Sequence, residues 1–148
     1  MCGVVGSYKP TGEACRESTL IAMRDAMVHR GPDGEGHWLS LDRRCRLGHR
    51  RLAIIDLSDA ASQPMVSEDS RVSVVFNGEI YNHASLRSEL SSKYRWMTDH
   101  SDTEVLLNAY QEWGLAFVHR LQGMFAFIIY DGRDPDRPKL HVGRDRVG

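Results

Sequence analysis

The chain has 148 residues, 41% hydrophobic and 26% charged, with a formal net charge of -1. That length suits one domain with a sizeable core, and the charge balance excludes the basic face of a nucleic-acid binder. The longest apolar runs, such as Met124–Tyr130, are too short to span a bilayer, and three cysteines and seven histidines without CxxC, HxH or HxxxH spacing argue against a disulfide framework and a metal site.

No cationic leader with an apolar core precedes the domain, which with the unpaired cysteines predicts a reducing cytoplasm. Cys2 to Tyr8 reads as a buried strand ended by the turn Lys9-Pro10-Thr11-Gly12. Glu17 to His29 reads as a helix, with Leu20, Met23 and Met27 lining one face. Arg30 to Gly36 is a loop, because Pro32 and three glycines break either regular element. His37–Leu41 and Cys45–His49 read as strands around a polar turn, Arg51–Leu57 as an apolar β-rich run, and Ser58–Met65 as a loop. Arg71–Asn77 is a strand with Val72, Val74 and Phe76 on one face. Asn77-Gly78 predicts a tight bend, since both residues tolerate positive φ. A short helix follows over Asn82–Ser91, packed through Leu86 and Leu90, then a strand over Tyr94–Thr98. Ser101-Asp102-Thr103-Glu104 is a capping box that opens a helix to Trp113, stopped by Gly114. A helical stretch over Ala116–Leu121, a core strand over Met124–Tyr130 and a return strand over Lys139–Gly143 complete the pattern. Hairpins with helices set between them imply an α+β layered fold with mainly antiparallel sheets. Residues 143–148 do not read as a tail, so the expectation is one domain over residues 1–148, truncated before a further segment.

The residue that could organise this fold is Cys2. If Met1 is removed, it carries a free α-amine and a thiol, a base and a nucleophile on one residue. A small buried cysteine opening an edge strand is the other reading. An amide-cleaving thiol needs donors for the developing oxyanion, and Asn77 with the Gly78 N–H could supply them; a hairpin turn is the alternative. An amino-acid substrate needs its carboxylate held, for which Arg50-Arg51 at the head of an apolar segment is a candidate, or else a solvated pair. Its ammonium needs acids, and Glu79 and Asp102 are candidates, although Asp102 also suits the first turn of a helix. The loop His29–Asp33 follows a helix and lacks a dinucleotide fingerprint; no phosphate loop or EF-hand spacing occurs.

Seven segments appear in order: Met1–Gly6, His29-Arg30-Gly31-Pro32-Asp33, Arg51–Asp56, Asn77-Gly78-Glu79-Ile80-Tyr81-Asn82, Ser101–Glu104, Gly123–Phe127 and Gly143–Gly148. Together they resemble the glutaminase domain (class II glutamine amidotransferase) of glutamine-hydrolysing asparagine synthetases, over essentially the whole chain. The resemblance implies an N-terminal-nucleophile hydrolase fold, a four-layer α/β/β/α sandwich of two stacked antiparallel sheets. It implies hydrolysis of glutamine to glutamate and ammonia through a Cys2 thioester, with Asn77 and Gly78 as the oxyanion hole. Arg51 would bind the substrate carboxylate, Glu79 and Asp102 its α-amine, and the backbone of Leu52, Ala53, Ile54 and Ile55 would line the pocket. Relatives often have Ser at the place of Ala53. No cofactor or metal is implied for this domain; ATP and Mg2+ belong to a C-terminal synthetase domain, the partner that receives ammonia. The resemblance implies no nucleic-acid or membrane partner and leaves room for a homodimer. A different ammonia acceptor, or a non-catalytic interaction module, are the alternatives.

Overall fold

A computed structural model of the chain describes residues 1–53 and 58–147. Strands β1 (Gly3–Tyr8), β2 (Gly34–Leu39) and β3 (Cys45–Arg51) form one antiparallel sheet in the order β1-β3-β2. Strands β4 (Met65–Val66), β5 (Val72–Ile80), β6 (Gly123–Asp131) and β7 (Lys139–Arg144) form a second antiparallel sheet in the order β4-β5-β6-β7. Helix α1 (Glu17–Asp25) packs on β1 and β3. On the other side α3 (Asp102–Trp113) packs on β4 and β5, with α2 (His83–Leu90) against it. The expected four layers, helix on sheet on sheet on helices, are therefore present.

Two cores follow from the pleat of β5, whose side chains point alternately to opposite faces. Val72, Val74 and Phe76 face the helices and bury with Leu106, Val105 and Phe117. Val75 faces the first sheet and packs with Cys45, Leu47 and Tyr130. The sheets are also stapled by polar groups: the Tyr130 hydroxyl donates to Asp42 Oδ2 at 2.7 Å, in the turn between β2 and β3.

Several local expectations are corrected. Helix α1 ends at Asp25 rather than His29, because the bonds tighten to the i−3 type: Met27 N–H donates to Arg24 O, and Arg30 N–H to Met27 O. Met23 is 44% exposed, and the buried stripe runs through Leu20 and Arg24. Arg24 can be buried because Asp25 and Glu35 hold its guanidinium at 2.8 and 3.2 Å. No strand forms over Tyr94–Thr98. There the N–H groups of Met97 and Thr98 donate to the Glu104 carboxylate at 2.6 and 2.9 Å, which replaces a ladder partner. The capping box is half made for the same reason. Ser101 Oγ accepts from Glu104 N–H at 3.4 Å, but the Glu104 carboxylate is engaged at Met97 and Thr98 and does not return to Ser101. Finally, Asn77-Gly78 is no bend: β5 runs through both residues, and Asn77 pairs with Ala126 and Gly78 with Phe125.

Helix α3 is tied to the second sheet by Tyr110, whose hydroxyl donates to Asp131 Oδ2 at 2.7 Å. Arg133 binds the same carboxylate with two donors, at 2.9 and 2.6 Å. Burial pushes the Asp131 carboxyl up, but the hydrogen bonds from Arg133 and Tyr110 outweigh it and lower the pKa from 3.8 to about 2. A depressed carboxyl stabilises the fold above its unfolded pKa and ceases to as pH falls through the folded one. The difference in urea midpoint between the parent and Asp131→Asn should therefore be constant near neutrality and shrink between about pH 4 and about pH 2, where both carboxyl states are protonated. A difference independent of pH would show that the carboxylate charge is not what ties α3 to β6.

Candidate active site

The site forms where one end of each sheet meets. The register Gly3↔Arg50 brings Cys2 level with Arg51 at the end of β3. Leu52 N–H donates to Cys2 Sγ at 3.4 Å, and the thiol lies 3.7 Å from Leu52 O. Arg30 Nε–H donates to Cys2 O at 3.2 Å. The 29–33 loop is laced to the same segment: Asp33 N–H donates to Arg51 O at 2.9 Å, and Ala53 N–H to Asp33 Oδ2 at 3.0 Å. Gly31 is needed for this approach, since a Cβ there would sit 2.4 Å from the Arg50 carbonyl carbon. The two arginines divide their work. Arg50 is held by Asp25 at 2.9 Å and Glu35 at 2.8 Å, against α1 and β2. Arg51 lines the cleft, with Nη1 donating to Ser58 O at 3.0 Å.

The second sheet supplies the opposite wall. In an antiparallel ladder, alternate residues turn their N–H and C=O to opposite neighbours. On β5 the odd-numbered positions serve the β6 side, as the bonds Gly132 N–H to Arg71 O and Tyr81 N–H to Gln122 O at its two ends show. The even-numbered positions serve the β4 side, but β4 consists only of Met65 and Val66. Side chains finish the row. Phe76 N–H donates to Gln63 Oε1 at 2.6 Å, and Ile80 N–H to Asp102 Oδ2 at 3.1 Å. Between them the same alternation turns the Gly78 N–H to this side, at the cleft. Asn77 shares the inter-sheet face with Val75. Its Oδ1 is buried and has no partner among the described residues.

The cleft between these walls has a volume of about 770 Å³. Cys2, Arg51, Leu52 and Ala53 line it from the first sheet, and Asn77, Gly78, Glu79 and Asp102 from the second and α3. Ile54 and Ile55 lie outside the described residues. The Ala53 N–H is committed to Asp33 Oδ2. Asp102 is buried, and burial pushes its carboxyl up against the opposing effects of the Ile80 N–H and His83. Glu79 is exposed at the rim.

Further residues without a role from sequence line the cleft, among them Arg30, Gln63, Thr103 and Arg144. Arg30 stands in the segment His29–Asp33, so a signal for it existed. Gln63 gave only the turn cue of the following Pro64. His49 sits behind the site, fully buried, with Nε2 3.2 Å from Phe76 O. Burial lowers its pKa to about 4, so near neutrality it is uncharged. Because a carbonyl only accepts, its proton must be on Nε2. Among the described residues no group of three or more His, Cys, Asp or Glu could hold a metal ion, and no helix is long and apolar enough to cross a membrane.

Comparison with known proteins points one way. The model of a family described as "Glutamine amidotransferase domain" matches residues 1–148. The chain is 43% identical over 152 aligned residues to asparagine synthetase [glutamine-hydrolyzing] 1 of Bacillus subtilis, covering all of this chain and 23% of that protein. It is 39% identical over 150 residues to asparagine synthetase B [glutamine-hydrolyzing] of Escherichia coli, again over its whole length and 26% of that protein. It is 38% identical over 124 residues to the amidase chry2 of Gibberella zeae, covering 84% of this chain and 18% of that protein. The chain thus spans about a quarter or less of the curated relatives it matches. Among solved structures, the glutamine phosphoribosylpyrophosphate amidotransferase of Bacillus subtilis matches with a TM-score of 0.69 at 19% identity, covering 97% of this chain and 36% of that one. At that identity the likeness concerns the fold alone, two stacked antiparallel sheets between helical layers.

Gly78 carries a strict steric demand. Its φ is 154°, and a Cβ would stand 2.1 Å from Met124 O in the paired strand. Gly78→Ala should push β5 and β6 apart at this point and lower stability by about 1–3 kcal/mol, read as a reduced urea midpoint. An unchanged midpoint would mean that the strands can separate here without cost.

Proposed function

The chain belongs to the glutamine amidotransferase domain family, and from that premise we propose that Cys2, freed by removal of Met1, is the nucleophile that cleaves the side-chain amide of glutamine. Met1 is 71% exposed at the mouth of the cleft, so nothing in its packing opposes removal. The α-amine of Cys2 takes the thiol proton, directly or through a water, and Sγ attacks the amide carbon. The negative oxygen accepts hydrogen bonds from the Asn77 side-chain amide and the Gly78 N–H. The ammonium thus formed returns the proton to the leaving nitrogen, and ammonia departs from a thioester. A water, deprotonated by the same amine, then attacks the thioester carbon, releases glutamate and restores the thiol.

Substrate recognition follows from charge. Arg51 binds the α-carboxylate; Asp102 and Glu79 bind the α-ammonium. Leu52 and Ala53 line the pocket wall. The observation that carries this reading is the convergence on one cleft of a thiol bonded to Leu52 N–H, the strand residues Asn77 and Gly78, and a buried acid. No cofactor enters these steps. The ammonia would serve an ATP- and Mg2+-dependent synthetase domain in a longer protein, with aspartate as acceptor, in the cytoplasm. The identity to two glutamine-hydrolysing asparagine synthetases supports that acceptor. The similarity to a protein named an amidase supports a second reading, the same glutaminase working for another acceptor.

Cys2→Ala should abolish glutamate release from glutamine, measured by a coupled assay on chain whose processed terminus has been confirmed by mass spectrometry. Asn77→Ala should lower kcat by roughly 10²–10³-fold with a much smaller change in KM, and chain that retains Met1 should be inactive. Turnover by Cys2→Ala at the parent rate would remove the nucleophile assignment.

A further inference from the structure

β4 leaves β5 too early to complete its ladder. Met65 pairs with Val74, so the next main-chain partner, for Phe76, would be residue 63. The main chain does not take that place. The Gln63 side chain supplies the acceptor instead, Oε1 receiving the Phe76 N–H at 2.6 Å. The other end of the same amide is also used: Gln63 Nε2–H donates to Thr103 Oγ1 at 3.1 Å. Phe76 directly precedes Asn77, and Thr103 directly follows Asp102. One buried amide therefore joins the strand bearing the oxyanion donors to the helix turn bearing the ammonium-binding acid. Gln63 is itself fixed from behind, since a Cβ at Gly36 would meet Gln63 O at 2.0 Å and the two backbones lie in close contact.

We propose that Gln63 is a positioning residue that holds Asn77-Gly78 and Asp102 in one frame, so that the oxyanion site and the ammonium site keep the spacing of a single glutamine. The proposal rests on the glutaminase reading above. Gln63 makes no bond to the reacting atoms in this scheme; it acts through Phe76 and Thr103. Cutting both of its bonds should loosen the oxyanion donors and the acid together. Cutting only the Thr103 bond should loosen the acid and leave the Phe76 N–H held.

The test compares Gln63→Met, Thr103→Val and Thr103→Ser in processed chain. Gln63→Met should lower kcat on the order of 10²-fold, as loss of an oxyanion donor does, and should also raise KM for glutamine. Thr103→Val should raise KM roughly tenfold, about the worth of one strong neutral hydrogen bond, with kcat within a few fold. Thr103→Ser, which keeps the hydroxyl, should restore KM. Alkylation of Cys2 by iodoacetamide should proceed at the parent rate in all three, since the thiol is bonded to Leu52 and not to this network. A Gln63→Met chain that folds and keeps parent kcat and KM overturns the proposal, as does a KM loss that Thr103→Ser fails to restore. If Gln63→Met does not fold, the Thr103 pair decides alone. If the processed parent lacks glutaminase activity, the glutaminase reading fails. The positioning claim is then read from the Asn77 side-chain and Gly78 amide NMR signals, which must move in Gln63→Met and stay in place for Tyr130-side controls.

Discussion

The site depends on an unfinished ladder. A strand that outruns its neighbour leaves a row of main-chain donors without acceptors, and each buried one must be satisfied or it costs stability. On β5 that row passes Phe76, Gly78 and Ile80 at about 7 Å per pair of residues. Gln63 takes the first donor and Asp102 the last. The one between them faces the cleft. The pleat of a sheet thus places the Gly78 N–H midway between two fixed anchors, with no loop to adjust it. A strand residue is also stiffer than a turn residue, which is what a preorganised donor requires.

Charges of both signs meet in the cleft. Arg30 and Arg51 come from the 29–33 loop and β3, Arg144 from β7, and Asp102 and Glu79 from α3 and β5. A free amino acid carries one charge of each sign close to the other, and a ligand of that kind can meet both. Asp102 shows how the pairing acts. Its burial favours the neutral acid, and the Ile80 N–H opposes this. An ammonium brought to the same spot favours the carboxylate further. The acid and its ligand therefore complete each other, and neither charge is well solvated alone.

Much of this was legible in the sequence, and the misses have physical causes. The alternation of Val72, Val74 and Phe76 was correct because both faces of β5 are buried against different layers. The Leu20 position was correct, whereas Met23 was not, since Arg24 takes the buried place once Asp25 and Glu35 neutralise it. Such a pairing is tertiary, and no helical period reports it. Asn77-Gly78 was read as a bend because local preference for positive φ is strong at that pair. The pairing with β6 overrides it, and glycine is required there for contact with Met124 O. Tyr94–Thr98 has the composition of a strand, but Glu104 satisfies its N–H groups. Cys2, Arg51, Asn77, Gly78, Glu79 and Asp102 could be named as candidates because chemistry restricts residue type. Gln63 could not, because an amide that replaces a missing strand has no local signature.

One requirement joins these features. Cys2 and the Asn77-Gly78 pair come to one cleft from different sheets, so its geometry is only as exact as the contact between the sheets. Apolar packing of Leu47, Val75 and Tyr130 brings the sheets together but is tolerant of sliding. Two directional bonds are not. Tyr130 O–H reaches Asp42 at 2.7 Å, and His49 Nε2–H reaches Phe76 O. The second lies one residue from Asn77 and two from Arg51, at the seam of the two half-sites. It needs a neutral imidazole, and burial keeps that ring neutral by lowering its pKa to about 4. The cost of burying a histidine is thus what makes it a fixed donor, and the fixed donor ties β3 of the first sheet to β5 of the second.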